Sequence, residues 1–262
     1  MKLSLFAAFP HELKRILENL KAPRILKGDP FTLFFAQRSP IEIVMAQTGM
    51  GACNAEAALS YVVKKHNPDF ILSLGFGGAL YDGALAGDLV WASKTILIPD
   101  RSAKGHMIDS HYSAPHFFEI PGAREIAGRL AAKVNMHEGC VATMGKRMRK
   151  QELLQMLPQG LLSPVCDMET FYLARLSMQR SLPFFAIRSI TDPADDDIPA
   201  GLFSVVDGSG RYSIYKALTL LIGKPGLIPH SIRLGINSER AAKNLWQAVE
   251  ALIEALGRKA KT

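Results

Sequence analysis

Apolar residues along the chain fall into blocks that alternate between the patterns of strands and of helices. Residues 3–9 form a continuous apolar run, which is typical of a strand buried on both faces of a sheet. Leucine and isoleucine then recur at helical spacing up to Leu20, behind Pro10, a residue suited to the first turn of a helix. The same alternation predicts further strands at 32–36, 41–46, 70–74, 88–93, 140–143, 165–168 and 183–190, and further helices at 54–65, 122–133, 151–157, 169–179, 212–222 and 238–255.

Strands that alternate with helices predict an α/β fold, here a three-layer sandwich around a mostly parallel, twisted mixed sheet. No repeat, linker or break in composition divides the 262 residues, so we expect a single domain over residues 1–262. The longest segment without periodicity is 101–121, and its length is typical of a lid or an interface loop. It contains His106, Asp109, His111 and His116.

Composition narrows the class of protein. A hydrophobic fraction of 48% and a charged fraction of 21% are those of a globular chain and argue against disorder. No apolar run reaches the roughly 18 residues that a membrane-spanning helix needs. The three cysteines form no C-x-x-C pair, and the histidines of the 101–121 segment lack the spacing of metal ligands. We therefore expect a reduced, cytoplasmic protein with neither a metal nor a cofactor.

The net charge of +7 raises the question of an anionic partner. Positive charge is densest at 146–150 and 258–261, where we expect a solvated loop and a frayed terminus. Neither segment interleaves aromatic residues, as a protein that binds single-stranded nucleic acid does. No nucleic-acid partner is therefore expected.

Three acidic residues follow predicted strands, and α/β proteins bind their ligands where strands end. Glu12 comes directly after the first strand, Glu169 stands where a strand gives way to a helix, and Asp192 closes the last strand. Each also fits a purely structural place, in the first turn of a helix or in a turn before proline. If the three side chains gather at one rim of the sheet, they form a candidate site.

Two glycine-rich segments also follow predicted strands. Residues 48–51 lack the Gly-Lys-Ser/Thr sequence of a Walker loop, and residues 75–78 lack the third glycine of the dinucleotide-binding fingerprint. A loop at 75–78 would bring backbone close to another group, which fits a tight turn and a ligand contact equally well.

Several short motifs occur in an order that resembles the nucleoside phosphorylase/nucleosidase family. They are TGMG at 48–51, NAEA at 54–57, LGFGG at 74–78, GDLV at 87–90, DME at 167–169 and IRSITD at 187–192. The sequence AFPHE at 8–12 is most similar to the methylthioadenosine/S-adenosylhomocysteine nucleosidase branch. The resemblance implies a nucleoside phosphorylase-like fold and cleavage of the N-glycosidic bond of a 5′-substituted purine nucleoside, with release of adenine.

The resemblance also implies a role for each acid. Asp192 would protonate the purine at N7, Glu169 would hold the ribose hydroxyls, and Glu12 would orient and deprotonate the attacking water. This division suits a transition state that resembles an oxocarbenium ion. The other residues that the resemblance places at the substrate are Met168, Asp167, Gly75, Phe76, Gly77 and Met148.

The choice of nucleophile depends on two positions. Phosphorylases of this family hold phosphate with an arginine and a serine or threonine where this chain has Ser73 and Phe76. Phenylalanine offers an anion neither charge nor a hydrogen bond, so the sequence favours water, and phosphorolysis stays the alternative. A non-catalytic nucleoside-binding module is a third candidate, because a fold does not fix a function.

The C-terminal third contains PADDDIP at 193–199, DG at 207–208, GKPGLIP at 223–229 and NSERA at 237–241. With these segments it resembles a hopanoid-associated phosphorylase branch, which implies a substrate with a large apolar tail. Leu227, Ile228 and Ile232 could then contact a membrane surface, but we expect them to pack on the core instead. Core packing is likewise expected for Leu245, Val249, Leu252 and Leu256, which recur at near-heptad spacing. We also expect a homodimer or a higher homo-oligomer.

Overall fold

The computed structural model describes residues 1–21, 24–28, 30–98, 116–196 and 214–259. Its strands are β1 (Lys2–Ala7), β2 (Arg24–Lys27), β3 (Thr32–Arg38), β4 (Ile41–Gln47), β5 (Phe70–Ala79), β6 (Leu89–Ile98), β7 (His116–Glu119), β8 (His137–Met144), β9 (Val165–Asp167) and β10 (Phe184–Asp192). Its α-helices are α1 (Pro10–Leu20), α2 (Ala52–His66), α3 (Ala123–Leu130), α4 (Lys150–Met156), α5 (Thr170–Gln179), α6 (Ile214–Gly223) and α7 (Ile228–Lys259).

The described strands form one mixed sheet. Strand β1 lies between β4 and β5 and is parallel to both, while β3 and β2 extend the sheet beyond β4 in antiparallel pairs. Strands β5, β10, β6, β8 and β9 pair in a closed ring, with parallel contacts except between β10 and β6 and between β9 and β5. The predicted α/β fold with a mixed sheet is confirmed.

Helices cover the sheet in two groups. Helix α7 packs against α1 and α3, and helices α2 and α5 pack against each other. Because both faces of the central strands are covered, apolar residues of β1 such as Leu3, Leu5 and Phe6 are almost completely buried. The described helices include none with the length and apolar character that crossing a membrane requires.

The glycine-rich segment at 75–78 is not the predicted loop. Strand β5 continues through it to Ala79, and the ladder with β10 pairs Gly75 with Arg188 and Gly78 with Asp192. Glycine is depleted in strands, so the pattern suggests a turn. Here the ladder satisfies the backbone, and side chains from other elements fill the space beside the glycines.

The C-terminal helix confirms one expectation and corrects another. Leu245, Val249, Leu252 and Leu256 of α7 are buried, as predicted. The prediction that Ile228 and Ile232 pack on the core is wrong, because these side chains are 42% and 59% exposed. The first fully buried residue of α7 is Ala241. The turns before it do not lie against the core, so their apolar side chains stay at least partly exposed.

Much of the 101–121 segment lies outside the described residues. These include His106, Asp109 and His111, for which the lid or interface role stays a prediction. His116 opens strand β7, which pairs with β6, and its side chain is exposed.

Candidate active site

A cavity of about 200 Å³ opens where β1, β9 and β10 end and along the last residues of β5. Four carboxylate residues from three parts of the chain line it: Glu12, Asp167 with Glu169, and Asp192. The three acids that follow predicted strands are therefore gathered around one cavity. The carboxyl ends of parallel strands meet at one edge, which is why residues distant in sequence converge there.

Glu12 is held by backbone donors from two elements. It occupies the first turn of α1, where its Oε2 accepts a hydrogen bond from the Phe9 N–H at 2.7 Å, the contact of a capping box. Its Oε1 accepts a second from the Phe76 N–H of β5, also at 2.7 Å. The residue is only 3% exposed, and burial raises the pKa of its carboxyl group, although these N–H groups and Arg188 oppose the rise.

Gly75 leaves the space that the Glu12 carboxylate occupies. A Cβ at position 75 would lie 2.6 Å from Glu12 Oε1, a distance too short for any side chain there. Gly75 does not itself line the main cavity but borders a small internal one beneath Glu12. Gly75 therefore acts on the site indirectly, by leaving room for the Glu12 carboxylate.

Glu169 stands between the end of β9 and the start of α5. Its Oε1 accepts a hydrogen bond of 2.6 Å from the Gly51 N–H, and its Oε2 accepts one of 3.3 Å from the Met168 N–H. The side chain retains intermediate exposure because it lines the cavity. Burial of the carboxyl group, followed by the negative charge of Asp167, raises the pKa of Glu169.

Asp192 ends β10 and lies against the glycines of β5. Its Oδ1 accepts a hydrogen bond from Thr191 Oγ1 at 2.8 Å, and a Cβ on Gly78 would lie 2.5 Å from its Oδ2. The residue is 8% exposed, and burial raises the pKa of its carboxyl group. The opposing influence comes first from Lys150, whose Nζ lies 3.0 Å from Asp192 Oδ2.

The prediction that residues 146–150 form a solvated loop is wrong for Lys150. This first residue of α4 is 6% exposed, and its ammonium lies inside the protein beside Asp192. Arg147 also lines the cavity, while Lys146 and Arg149 are exposed as expected. The reason is geometric: in a segment that ends in a helix, successive side chains point in different directions, so a basic run need not lie on one surface.

Asp167 belongs to a buried network beneath the cavity. Arg188 donates to Asp167 Oδ2 from Nε at 3.0 Å and from Nη2 at 2.6 Å, and Thr143 donates to Oδ1 at 2.6 Å. The same Nη2 also donates to Ser73 and to Thr170. Asp167 therefore fixes β9, β10 and the start of α5 relative to one another.

Arg188 and Lys150 were not among the residues predicted for the site. Arg188 had a signal, since a charged residue within the otherwise apolar strand 183–190 must be buried and therefore paired. Lys150 had none, because three other basic residues share its segment.

The structure places most of the other predicted contact residues at the cavity. Phe76, Gly77 and Met168 line it. Met148 is not among the lining residues and packs instead beside the small apolar cluster that contains Leu80 and Ile96. Met144 and Arg147 line the wall on that side.

The cysteine in the cavity wall is not suited to act as a nucleophile. Burial raises the pKa of the Cys166 thiol in its wall to about 12, so this thiol stays protonated. No cluster of three or more His, Cys, Asp or Glu residues suited to a metal ion occurs within those parts of the chain. Besides Cys166, the titratable groups of the lining are the four carboxyl groups, His11 and Arg147.

An α/β fold that gathers carboxylates of raised pKa in one cavity at the ends of its strands is that of an enzyme acting on a small ligand. The chain belongs to the phosphorylase superfamily, whose family model matches residues 2–208. The family predicted from the sequence motifs is thereby confirmed.

Individual relatives agree with this assignment. The 5′-methylthioadenosine/S-adenosylhomocysteine nucleosidase of Shewanella pealeana is 26% identical over 231 residues, which cover 84% of this chain and 99% of the relative. The fold is similar to that of the Neisseria meningitidis nucleosidase of the same name in complex with methylthio-immucillin-A, with a TM-score of 0.70, 18% identity and coverage of 96% and 98% of the two chains. Futalosine hydrolase of Helicobacter pylori has a TM-score of 0.71 at 15% identity, with 97% of each chain covered.

Proposed function

We propose that this protein hydrolyses the N-glycosidic bond of a 5′-substituted adenine nucleoside and releases adenine. The observation that carries the proposal is the set of three acids, Glu12, Glu169 and Asp192, that line one cavity. The similarity to methylthioadenosine/S-adenosylhomocysteine nucleosidases supports the same reaction.

Asp192 acts on the leaving group. As a carboxylic acid it donates its proton to N7 of the purine, and the electron pair of the breaking bond stays on the base. Donation by a carboxyl group near neutral pH requires a pKa above its ordinary value, and burial raises the pKa of Asp192 in that direction.

Glu12 acts on the nucleophile. Each of its oxygens accepts one backbone N–H, which fixes the carboxylate in place. It removes a proton from water as the water oxygen bonds to C1′ of the sugar, and its raised pKa makes it a stronger base than an exposed glutamate. Transfer of that proton back to Asp192 through solvent restores the resting state.

Glu169 binds the sugar. Its carboxylate, oriented by the Gly51 and Met168 N–H groups, accepts hydrogen bonds from the ribose hydroxyls, and the Met168 side chain packs beneath the ring.

Water fits the site better than phosphate. Glu12 places a carboxylate on the water side of the sugar, and its negative charge would repel a phosphate anion there. The guanidinium of Arg188 approaches Ser73 from beneath, but it is occupied by Asp167 and does not line the cavity.

The 5′ substituent has space next to the site. A second cavity of about 390 Å³ adjoins the first and shares His11, Leu234 and Ser238 with it. Its far wall is formed by Ala217, Leu220 and Leu221 of α6. An apolar thioether group on the 5′ carbon suits these surroundings.

The test measures adenine released from methylthioadenosine and from S-adenosylhomocysteine by the purified protein, with and without inorganic phosphate. We expect release without phosphate, and a loss of about 10²–10⁴-fold in kcat for Asp192→Asn and for Glu12→Gln. Lys94→Met is the matched control, since Lys94 pairs with Glu119 on the surface of the sheet and does not line the cavity. Release that strictly requires phosphate refutes the hydrolytic reaction.

Phosphorolysis is the second candidate, and the observation that favours it is Arg147. This guanidinium lines the cavity, where it could pair with an anion. It influences Asp192, on the side assigned to the base, rather than the water side at Glu12. A ribose 1-phosphate product would identify this reaction.

A further inference from the structure

Lys150 makes an unusually complete set of contacts for a lysine. Its ammonium lies 3.0 Å from Asp192 Oδ2 and donates to the backbone oxygens of Asp192, Pro193 and Asp196 at 2.9, 2.5 and 3.1 Å. Its side chain is 7% exposed. A lysine is rarely buried to this degree unless it is paired, and these four acceptors all belong to the segment that begins with Asp192.

We propose that Lys150 is a positioning residue for the reaction: it holds Asp192 and the segment after it in place, and it stabilises the carboxylate that Asp192 becomes when it gives up its proton. This inference rests on the proposed function, because Asp192 is the acid of that reaction.

The geometry gives Lys150 two separable effects. Three contacts to backbone oxygens fix residues 192–196 relative to α4, which locates the Asp192 carboxyl group. The fourth contact is an ion pair only when Asp192 is ionised. Proton transfer to the purine turns a neutral carboxyl group into a carboxylate, and the adjacent ammonium makes that product more stable.

Gly78 lets the pair form. A Cβ on this residue would lie 2.5 Å from Asp192 Oδ2 and 3.2 Å from Lys150 Cε, so both side chains occupy the volume that a larger residue would fill. The absence of a side chain at one point of β5 thus allows an acid from β10 and a lysine from α4 to meet.

Other charged or titratable groups also influence Asp192. Arg147, from the segment before α4, lowers the pKa of Asp192, but less than Lys150 does. Cys166 of β9 stays protonated. On the side of α7, Arg233 pairs with Asp196 at 3.6 Å. Lys150 is therefore the dominant positive charge at this acid.

The test compares Lys150→Met, Lys150→Gln and Lys150→Arg with wild type and with Lys94→Met. The first measurement is the pH dependence of kcat/KM for adenine release from methylthioadenosine. Its alkaline limb reports loss of the Asp192 proton, and an opposite charge at this distance lowers the pKa of a carboxyl group by about 1–3 units. We expect that limb to move up by about 1–3 pH units in Lys150→Met and Lys150→Gln, and to stay in place in Lys150→Arg and Lys94→Met.

A lower kcat with an unmoved alkaline limb in both uncharged variants overturns the electrostatic part of the proposal. An unchanged kcat in both overturns the positioning part. Glutamine retains N–H donors for the backbone oxygens, so Lys150→Gln serves if Lys150→Met fails to fold.

A second measurement separates this inference from the proposed function. Carbon-13 NMR of aspartate-labelled protein gives the titration of Asp192, with Asp192→Asn used to assign its signal. If wild type releases no adenine, the proposed function fails. A rise of the Asp192 titration midpoint in Lys150→Gln still supports the ion pair, and an unchanged midpoint refutes it.

Discussion

Gly78→Ala tests whether the empty space on β5 positions the acid of the site. The added Cβ would lie 2.5 Å from Asp192 Oδ2, whereas ordinary contacts begin at 3.4 Å, so the oxygen must move by about 0.9 Å. A misplacement of roughly 1 Å at a reacting group costs about a hundredfold in rate. That loss corresponds to about 2.7 kcal/mol of transition-state stabilisation.

Backbone preference would act in the opposite direction. Glycine within a strand is less favourable than alanine by roughly 0.5–1 kcal/mol, so a harmful effect of Gly78→Ala must come from the contact with Asp192 and its neighbours. The assay is kcat for adenine release, with the melting temperature measured in parallel.

Two alanine variants provide the controls. On Gly128, in α3, the added Cβ would have no neighbour within 4 Å, so Gly128→Ala should leave kcat unchanged and stabilise the helix by about 0.8–1.0 kcal/mol. On Gly77, the nearest atom would be Arg188 Cβ at 3.3 Å, so Gly77→Ala should have a smaller effect than Gly78→Ala. Wild-type kcat in Gly78→Ala would refute the reasoning.

Three further predictions concern stability. Asp167→Ala leaves the buried Arg188 without its carboxylate and should lower the free energy of unfolding by about 3–5 kcal/mol in urea titrations; a change below 1 kcal/mol would contradict the network. Burial raises the pKa of Glu169 above its ordinary value of 4.5, so the folded state holds the proton more tightly and the free energy of unfolding should fall as pH rises above that value. In thermal melts from pH 4 to 9, Glu169→Gln should flatten this decline, and an unaltered slope would exclude Glu169 as its source. Leu245→Ala should cost about 2–5 kcal/mol, whereas Ile232→Ala should change stability by no more than about 0.5 kcal/mol, since Leu245 is buried and Ile232 is 59% exposed; equal effects would show that the exposed side chain is covered in solution.

The position of an acidic residue directly after a predicted strand was enough to select the three acids that line the cavity. Glu12, Glu169 and Asp192 could be selected without coordinates because the ends of strands in an α/β sheet converge. Their supports could not be selected, because those are backbone N–H groups, at Phe76 and Gly51, that leave no trace in residue type.

Two predictions were wrong because they depended on the neighbours that the fold brings to a residue, which residue type does not indicate. A glycine-rich loop was predicted at 75–78, yet side chains of neighbouring elements supply the volume that β5 lacks there, so the strand continues. Apolar residues at the start of α7 were expected to be buried, but hydrophobicity does not indicate whether a core lies opposite. The single domain over 1–262, the oligomeric state and the resemblance to the hopanoid-associated branch stay predictions.

The glycines of β5 that lie in the cavity wall also limit how the ligand preference of this protein can change. At Gly78 the wall offers only main chain, and a substitution there large enough to alter selectivity would first displace Asp192. Changes in preference between one nucleoside and another must therefore arise at the remaining wall. Three flexible methionines, Met50, Met144 and Met168, already stand there, and their adaptable side chains can accommodate a new ligand shape without moving a carboxylate.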